Sequence, residues 1–226
     1  MNAIVLAGGF GSRLRPLTDA TPKPMLKIAN VPMLDYVVAW LAFYGYTDIT
    51  FTLGYLPDIV KDFVSDYKGI NARFTLETEP LGTAGAVKNA EANLDDIFVV
   101  ASGDALSDVN LGKMLDFHFS GGAEVTMACA TVKDPRLYGV VRADEGGTVN
   151  GFIEKPVTAE YGNLVNAGIY IMNKSVLSQV PNDVKFDFSR DLFPSLVSAR
   201  KIKAFVHDGY WCDIGDKTSY YRANFF

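Results

Sequence analysis

The residues with the most chemical promise lie near the start of the chain. The run Leu6-Ala7-Gly8-Gly9-Phe10-Gly11-Ser12-Arg13 sets three glycines beside a cation, and Arg15 and Lys23 follow. Glycines let backbone N–H groups approach phosphate oxygens closely, and turned amides of this kind form an anion-binding nest. Guanidinium groups add fork-shaped donors for phosphate. Lys23 stands between Pro22 and Pro24, which stiffen its backbone. Two common phosphate loops are absent. No G-x-x-x-x-G-K-[ST] string occurs, and the dinucleotide pattern G-x-G-x-x-G fails because Leu14 stands where its third glycine belongs. The missing glycine also removes a dehydrogenase reading.

The acidic candidates are Asp104, which follows the apolar run 97–101 and Gly103, and Asp213, which follows Trp211-Cys212. Mg²⁺ favours one or two carboxylates completed by phosphate oxygens and water. Two aspartates meeting in one crevice would fit that demand. Taken singly, each is equally well read as a turn cap. Asp108 and Asp216 read as solvent-facing or capping residues. Cys212 has no histidine near it in sequence and reads as a small packing residue. His118 and His207 read as structural. With two cysteines and two histidines, neither a disulfide framework nor a Cys-His zinc cluster can be assembled.

These residues need a scaffold, and the hydrophobic periodicity describes one. Apolar or β-branched runs at 3–6, 48–53, 72–76, 97–101 and 124–132 read as strands. Helical spacing covers 34–43, with Gly45 as its stop, then 57–67, 83–94 and 111–119. In 57–67 the stripe is Ile59, Phe63 and Tyr67. Tyr36, Trp40, Phe43 and Tyr44 read as core aromatics. The second half predicts strands at 138–142, 149–154, 165–172, 202–206 and 210–213, and helices near 175–180, 189–199 and 218–225. This alternation predicts an α/β fold: one doubly wound, mixed but mostly parallel sheet flanked by helices, in a single domain over 1–226. About 1–130 forms its first half and about 131–226 its second. Ligands of such sheets bind outside the carboxyl ends of the strands, where the glycine loop, Asp104 and Asp213 all fall.

Composition bounds the rest. The chain has 226 residues, 49% hydrophobic and 21% charged, so it can build a large core. Its 21 basic and 26 acidic residues give a net charge of −5, which argues against a nucleic-acid-wrapping surface. The first apolar run is too short and lacks the basic start of a signal peptide. No run approaches the roughly 20 apolar residues of a membrane helix. A soluble cytoplasmic protein, with no membrane or nucleic-acid partner, is the expectation. The apolar end Phe225-Phe226 suggests burial, and with it self-association into a homo-oligomer.

The sequence resembles the sugar-1-phosphate nucleotidyltransferases, also called nucleotide-sugar pyrophosphorylases. The resemblance rests on LAGGFGSRLRPLTDATPKPML (6–26), EPLGTAGAV (79–87), Gly103-Asp104, YGVV (138–141), EKP (154–156), NAGIYIM (166–172) and WCDIG (211–215). These motifs occur in the family's order and span nearly the whole chain. The wording is most similar to the mannose-1-phosphate guanylyltransferase branch and its single-domain relatives. Two departures stand out: Ser12 where many members carry Thr, and an end at Phe226 where many continue into a left-handed β-helix domain. No β-helix domain is therefore expected.

The resemblance implies a Rossmann-like fold and transfer of a nucleotidyl group from an NTP to a sugar 1-phosphate, with release of pyrophosphate and with Mg²⁺ as cofactor. It implies that Arg13, Lys23 and Asp104 are catalytic and that Asp104 and Asp213 hold the metal. The nucleotide would lie against Leu6, Ala7, Gly8, Gly9, Gly11, Ser12, Arg13, Lys23, Glu77, Gly82, Thr83 and Asp104. The sugar phosphate would meet Gly139, Glu154, Lys155 and Asn166. The attacking phosphate oxygen is already anionic, so the difficulty is charge rather than proton removal. The stretch 77–83 would face the base. Guanine offers two adjacent N–H donors, which suit the carboxylate of Glu77 or Glu79, whereas uracil or thymine offers one donor between acceptors, which suits an amide. GTP is therefore favoured over UTP or dTTP. A silent paralogue that binds a nucleotide sugar is disfavoured because Arg13, Lys23, Asp104 and Asp213 are all present.

Overall fold

The structure is a computed structural model, and residues 1–225 are described. The strands are β1 (Asn2–Leu6), β2 (Lys27–Ile28), β3 (Val31–Pro32), β4 (Asp48–Leu53), β5 (Asn71–Leu76), β6 (Ile97–Ser102), β7 (Ala105–Ser107), β8 (Val125–Thr131), β9 (Gly139–Ala143), β10 (Val149–Glu154), β11 (Leu164–Asn173), β12 (Ile202–His207) and β13 (Trp211–Asp213). The helices are α1 (Met33–Phe43), α2 (Pro57–Ser65), α3 (Gly82–Asn89), α4 (Leu111–Gly121), α5 (Phe193–Ser198) and α6 (Lys217–Ala223).

One nine-stranded sheet runs β10-β9-β11-β6-β1-β4-β5, with β8 beside β11 and β12 beside β8. Strands β1, β4, β5, β6, β8, β9 and β12 point one way, and β10 and β11 return. The sheet is therefore mixed and mostly parallel, as expected. Alternate residues of β1 feed two cores. Ala3 and Val5 pack with Leu34, Val37, Val38 and Leu41 of α1, and Ile4 packs with Ala84 and Val87 of α3. Both faces of the central strands are covered, which explains their unbroken apolar sequences. Each fully buried aliphatic side chain here contributes about 1.5–3 kcal/mol.

The departures from the sequence reading have local causes. In α2 the buried stripe is Val60 and Val64, while Ile59 is exposed. Helix α3 stops at Asn89, and a 3₁₀ turn over Glu91–Asn93 carries Leu94 into the core. The segment 175–180 is a 3₁₀ turn, Lys174–Gln179. The expected helix 189–199 divides into a wide π turn, Phe188–Leu192, and α5. Pro194 has no N–H to bond back to residue 190, so the chain cannot run straight through as an α-helix. In α1, Phe43 is 81% exposed, because the buried stripe is Leu34, Val37, Val38 and Leu41. Phe225 is likewise exposed, and Phe226 lies outside the described residues. Among the described residues no helix is long and apolar enough to cross a membrane.

Candidate active site

The short strand β7 brings the two aspartates together. It begins directly after Asp104 and pairs antiparallel with β13, with Asp213 opposite Ala105. The Ile214 amide donates to the Asp104 carbonyl at 3.3 Å and continues the ladder. Residues more than a hundred positions apart thus share one strand end. Lys23 is buried beside them. Its ammonium is ion-paired with Asp104, and Nζ lies 4.0 Å from Asp213 Oδ1. Ser102 donates to the other oxygen of Asp104. Burial pushes the Asp104 carboxyl up, but the Lys23 charge and hydrogen bond outweigh it and hold the group below the usual carboxylate range. Asp213 goes the other way, to about 6, through burial and then the Asp104 charge, with Lys23 and Arg13 offsetting only part. Burial, ahead of the neighbouring charge, therefore sets the Asp213 shift.

The glycine loop lies over the same strand ends. Leu6 closes β1, and just beyond it the Ala7 amide donates to the Thr52 carbonyl at 3.0 Å. Gly8 is a close-approach position: a Cβ there would stand 2.7 Å from Glu77 Oε1. Gly9 is exposed and open. Gly11 has φ 61°, and a Cβ on it would meet Thr18 and Lys23. Only glycine combines that backbone with that packing. The fully buried Thr18 donates to the Gly11 carbonyl at 2.9 Å and pins the loop onto Lys23. Ser12 and Arg13 are exposed in the 3₁₀ turn that follows. Below the loop opens a cleft of about 350 Å³, lined by Leu6, Gly8, Glu77, Gly82, Thr83 and Asp104 among others.

Glu77 reaches this cleft and Glu79 is exposed away from it. One Glu77 oxygen accepts from the Leu81 amide at 3.0 Å, which leaves Oε1 over Gly8. Burial raises its carboxyl above the ordinary value, with the Leu81 amide lowering it in part. Thr83 lines the cleft, but its amide and hydroxyl donate to Asp187 at 3.2 and 3.4 Å. The next amides, Ala84 and Gly85, both bond to the Phe186 carbonyl at 2.9 Å. The start of α3 is therefore capped from within the protein.

The expected sugar contacts form a row across three strands. Glu154 of β10 pairs with Gly139 of β9, and Val165 of β11 pairs with Val140, which sets Asn166 opposite Gly139. The Asn166 side chain donates to Tyr170 Oη at 2.8 Å and accepts from the Gly168 amide at 3.0 Å. These bonds span a bulge where β11 slips against β8 between Asn166 and Tyr170. Lys155, at φ 47°, turns back so that its amide meets the Tyr138 carbonyl at 2.9 Å and its ammonium lies 3.4 Å from Glu154.

Several residues of the cleft were not among the sequence candidates. Thr52 and Gly54 lie at the end of β4, and Asp187 comes from the second half of the chain. Nothing in their local sequence marks them. Thr18 follows the glycine loop as an ordinary loop residue. His118 is structural, held by Thr126 at 2.9 Å and Asn173 at 3.2 Å. His207 sits 2.9 Å from Asp108, and Asp216 caps α6, as the capping reading expected. Cys212 is half-buried in a small core, and burial pushes its thiol up, which suits a packing role.

The nucleotidyl transferase family description matches residues 2–226. The chain belongs to that family. It is 38% identical over 226 aligned positions to a mannose-1-phosphate guanyltransferase of Gibberella zeae, covering 95% of this chain and 61% of that one. A mannose-1-phosphate guanylyltransferase 1 of Arabidopsis thaliana is 38% identical over 231 positions, covering 97% and 63%. The chain thus spans under two thirds of the length of these curated relatives. The structure of HddC from Yersinia pseudotuberculosis complexed with GMP-PN aligns with a TM-score of 0.83 and 32% identity, over 99% of this chain and 97% of that one. Family membership accounts for the sheet and for the order of the motifs along it.

Proposed function

We propose that this nucleotidyl transferase family member moves a nucleotidyl group from an NTP, GTP in preference, to a sugar 1-phosphate: mannose 1-phosphate or a related hexose or heptose phosphate. The products are an NDP-sugar and pyrophosphate. The observation that carries this reading is Lys23, wedged against Asp104 and Asp213 where the glycine loop meets the cleft. In this reading residues 1–130 hold the nucleotide and 131–226 the acceptor, though Asp187 and Asp213 cross that division.

The amides of the loop and Arg13 would hold the leaving end of the triphosphate. Lys23 would move from Asp104 toward the α-phosphate and offset charge as the new bond forms. The sugar phosphate would approach along the Glu154–Gly139–Asn166 row, with Lys155 on its phosphate. Asp104 and Asp213 suit a divalent cation, Mg²⁺ in this reading, because two carboxylates at one strand end leave the remaining positions for phosphate and water. Among the described residues no cluster of three or more His, Cys, Asp or Glu offers a closed metal cage, which a shared substrate cation does not need. When bound, the cation supplies charge neutralisation on the phosphates. The unpaired Glu77 oxygen favours a base with adjacent N–H donors, and so guanine. The relatives named above as guanyltransferases, and the GMP-PN complex, support that choice. A cytoplasmic location, where NTPs are held, fits the same reading.

The test is pyrophosphate release with Mg²⁺ over GTP, UTP, dTTP, CTP and ATP against several sugar 1-phosphates. Release with GTP and one acceptor is the expected result. Release with UTP or dTTP keeps the chemistry and overturns the base assignment. Silence across the grid, with nucleotide-sugar binding intact, would point to the silent paralogue.

A further inference from the structure

The cleft floor holds a buried hydroxyl with nothing to bond. Thr52 is 1% exposed, and its Oγ1 has no hydrogen-bond partner. A buried polar group without a partner costs free energy that a valine of the same shape would not, so its presence asks for an explanation. Its place in the sheet offers one. Thr52 is in register with Leu6 of β1, and Leu6 with Ser102 of β6. These three residues therefore share one face and form a row under the glycine loop. Ser102, at one end, bonds Asp104, where the phosphates would lie. Thr52 stands two strand spacings away, roughly 10 Å, on the side of Gly8, Gly54 and Glu77. That is the direction in which a nucleoside would extend from its phosphate.

We infer that the Thr52 hydroxyl is a contact for the nucleobase, the second polar reader of the base beside Glu77. This rests on the nucleotidyl transfer reading above. A carboxylate accepts only, whereas a hydroxyl both donates and accepts. If Glu77 takes the N–H donors of guanine, the neighbouring carbonyl oxygen of that ring needs a donor, and Thr52 supplies one. The orphaned group of the free protein becomes satisfied in the complex, so its burial cost is recovered as affinity and selectivity.

The same row contains its own control. Thr75 of β5 is in register with Thr52, and its hydroxyl is also buried and unpaired, but Thr75 is not among the cleft residues. The full-length wild type, Thr52→Val and Thr75→Val are each titrated calorimetrically with GTP, ATP, UTP, dTTP and CTP, with Mg²⁺ and no acceptor, and each free protein is melted. For the NTP the wild type prefers, Thr52→Val is expected to bind about tenfold more weakly, the loss of one hydrogen bond, and Thr75→Val within about twofold. Both variants should melt at or above the wild-type temperature. Equal binding by Thr52→Val overturns the inference. So does an equal loss in both variants, which would mean a shared bridging water, and so does a lower melting temperature for Thr52→Val, which would mean its hydroxyl is already paired. A wild type that prefers another NTP overturns the guanine reading, while the Thr52 comparison still decides this one. A wild type that binds none overturns both.

Discussion

The two sides of the crevice are built on opposite principles. On the β1–β4–β6 side Asp104 is bonded by Lys23 and Ser102, but the groups around it are left short of partners. Thr52 Oγ1 is orphaned, Glu77 has one oxygen free over Gly8, and Asp213 is pushed to about 6 by burial and its neighbour. On the β9–β10–β11 side the corresponding groups bond one another: Asn166 to Tyr170 and Gly168, and Lys155 to Glu154. A ligand on the first surface would give these groups the partners they lack. The second exchanges existing bonds for new ones, which yields little net free energy. In the proposed reaction, that difference predicts that most of the binding energy comes from the nucleotide, with the Glu154–Gly139–Asn166 row serving to orient the acceptor.

The strongest way to break this contrast is at Lys23. Lys23→Ala should lower turnover about 100–1000-fold, the usual effect of removing a charge-stabilising group, measured as steady-state pyrophosphate release. A loss under about tenfold would place the lysine outside the chemistry. Next is Asp213→Asn, which should lower turnover about 100-fold while leaving the NTP dissociation constant within a few-fold; equal losses in both would remove its metal role. Asp213 also gives a stability signature. Its folded pKa, about 6, lies above the ordinary value, so the folded state holds the proton more tightly. The penalty is absent at low pH, grows as pH rises from near 4 to 6, and persists above. At pH 7.5 the asparagine variant should therefore melt about 2–4 °C higher, for roughly 1 kcal/mol in a chain of this size. The gain should vanish near pH 4.

A smaller effect is expected at the base. Glu77→Gln should narrow the preference for GTP over UTP about tenfold in kcat/KM; an unchanged ratio would assign base reading to other groups. The mildest change sharpens the acceptor side. Asn166→Ala should raise KM for the sugar phosphate about threefold to tenfold with little change for NTP. It should cost about 1 kcal/mol of stability, because the Tyr170 hydroxyl loses its partner. An equally large effect on NTP would dissolve the division between the two surfaces.

What the sequence shows of this molecule depends on whether a feature is local. Strand β4 is legible to the residue, since DITFTL is β-branched and bounded by turns. The glycine loop and Lys23 stand out in the sequence by type and spacing, and the structure packs them together at Gly11. Strand β7 is only Ala105–Ser107, too short for a period, and it is this element that joins the two aspartates. The bulge in β11 is invisible for a related reason: NAGIYIM reads as a plain strand, and only pairing with β8 exposes the slip. Asp187 could not be found at all, since its link to Thr83 crosses 104 positions. Phe43 shares the helical spacing of 34–43 yet lies off the packing stripe of α1, which runs through aliphatic positions.

The pairing of β13 with β7 has a consequence for the order in which the molecule comes into being. Ribosomes deliver Lys23 and Asp104 early, together with every strand of the parallel core around β1. Asp213 follows Asp104 by more than a hundred residues. A nascent chain can thus collapse onto its first strands and display the glycine loop and Lys23 before the second aspartate exists. The two aspartates come to share one strand end only when a three-residue strand zips into place.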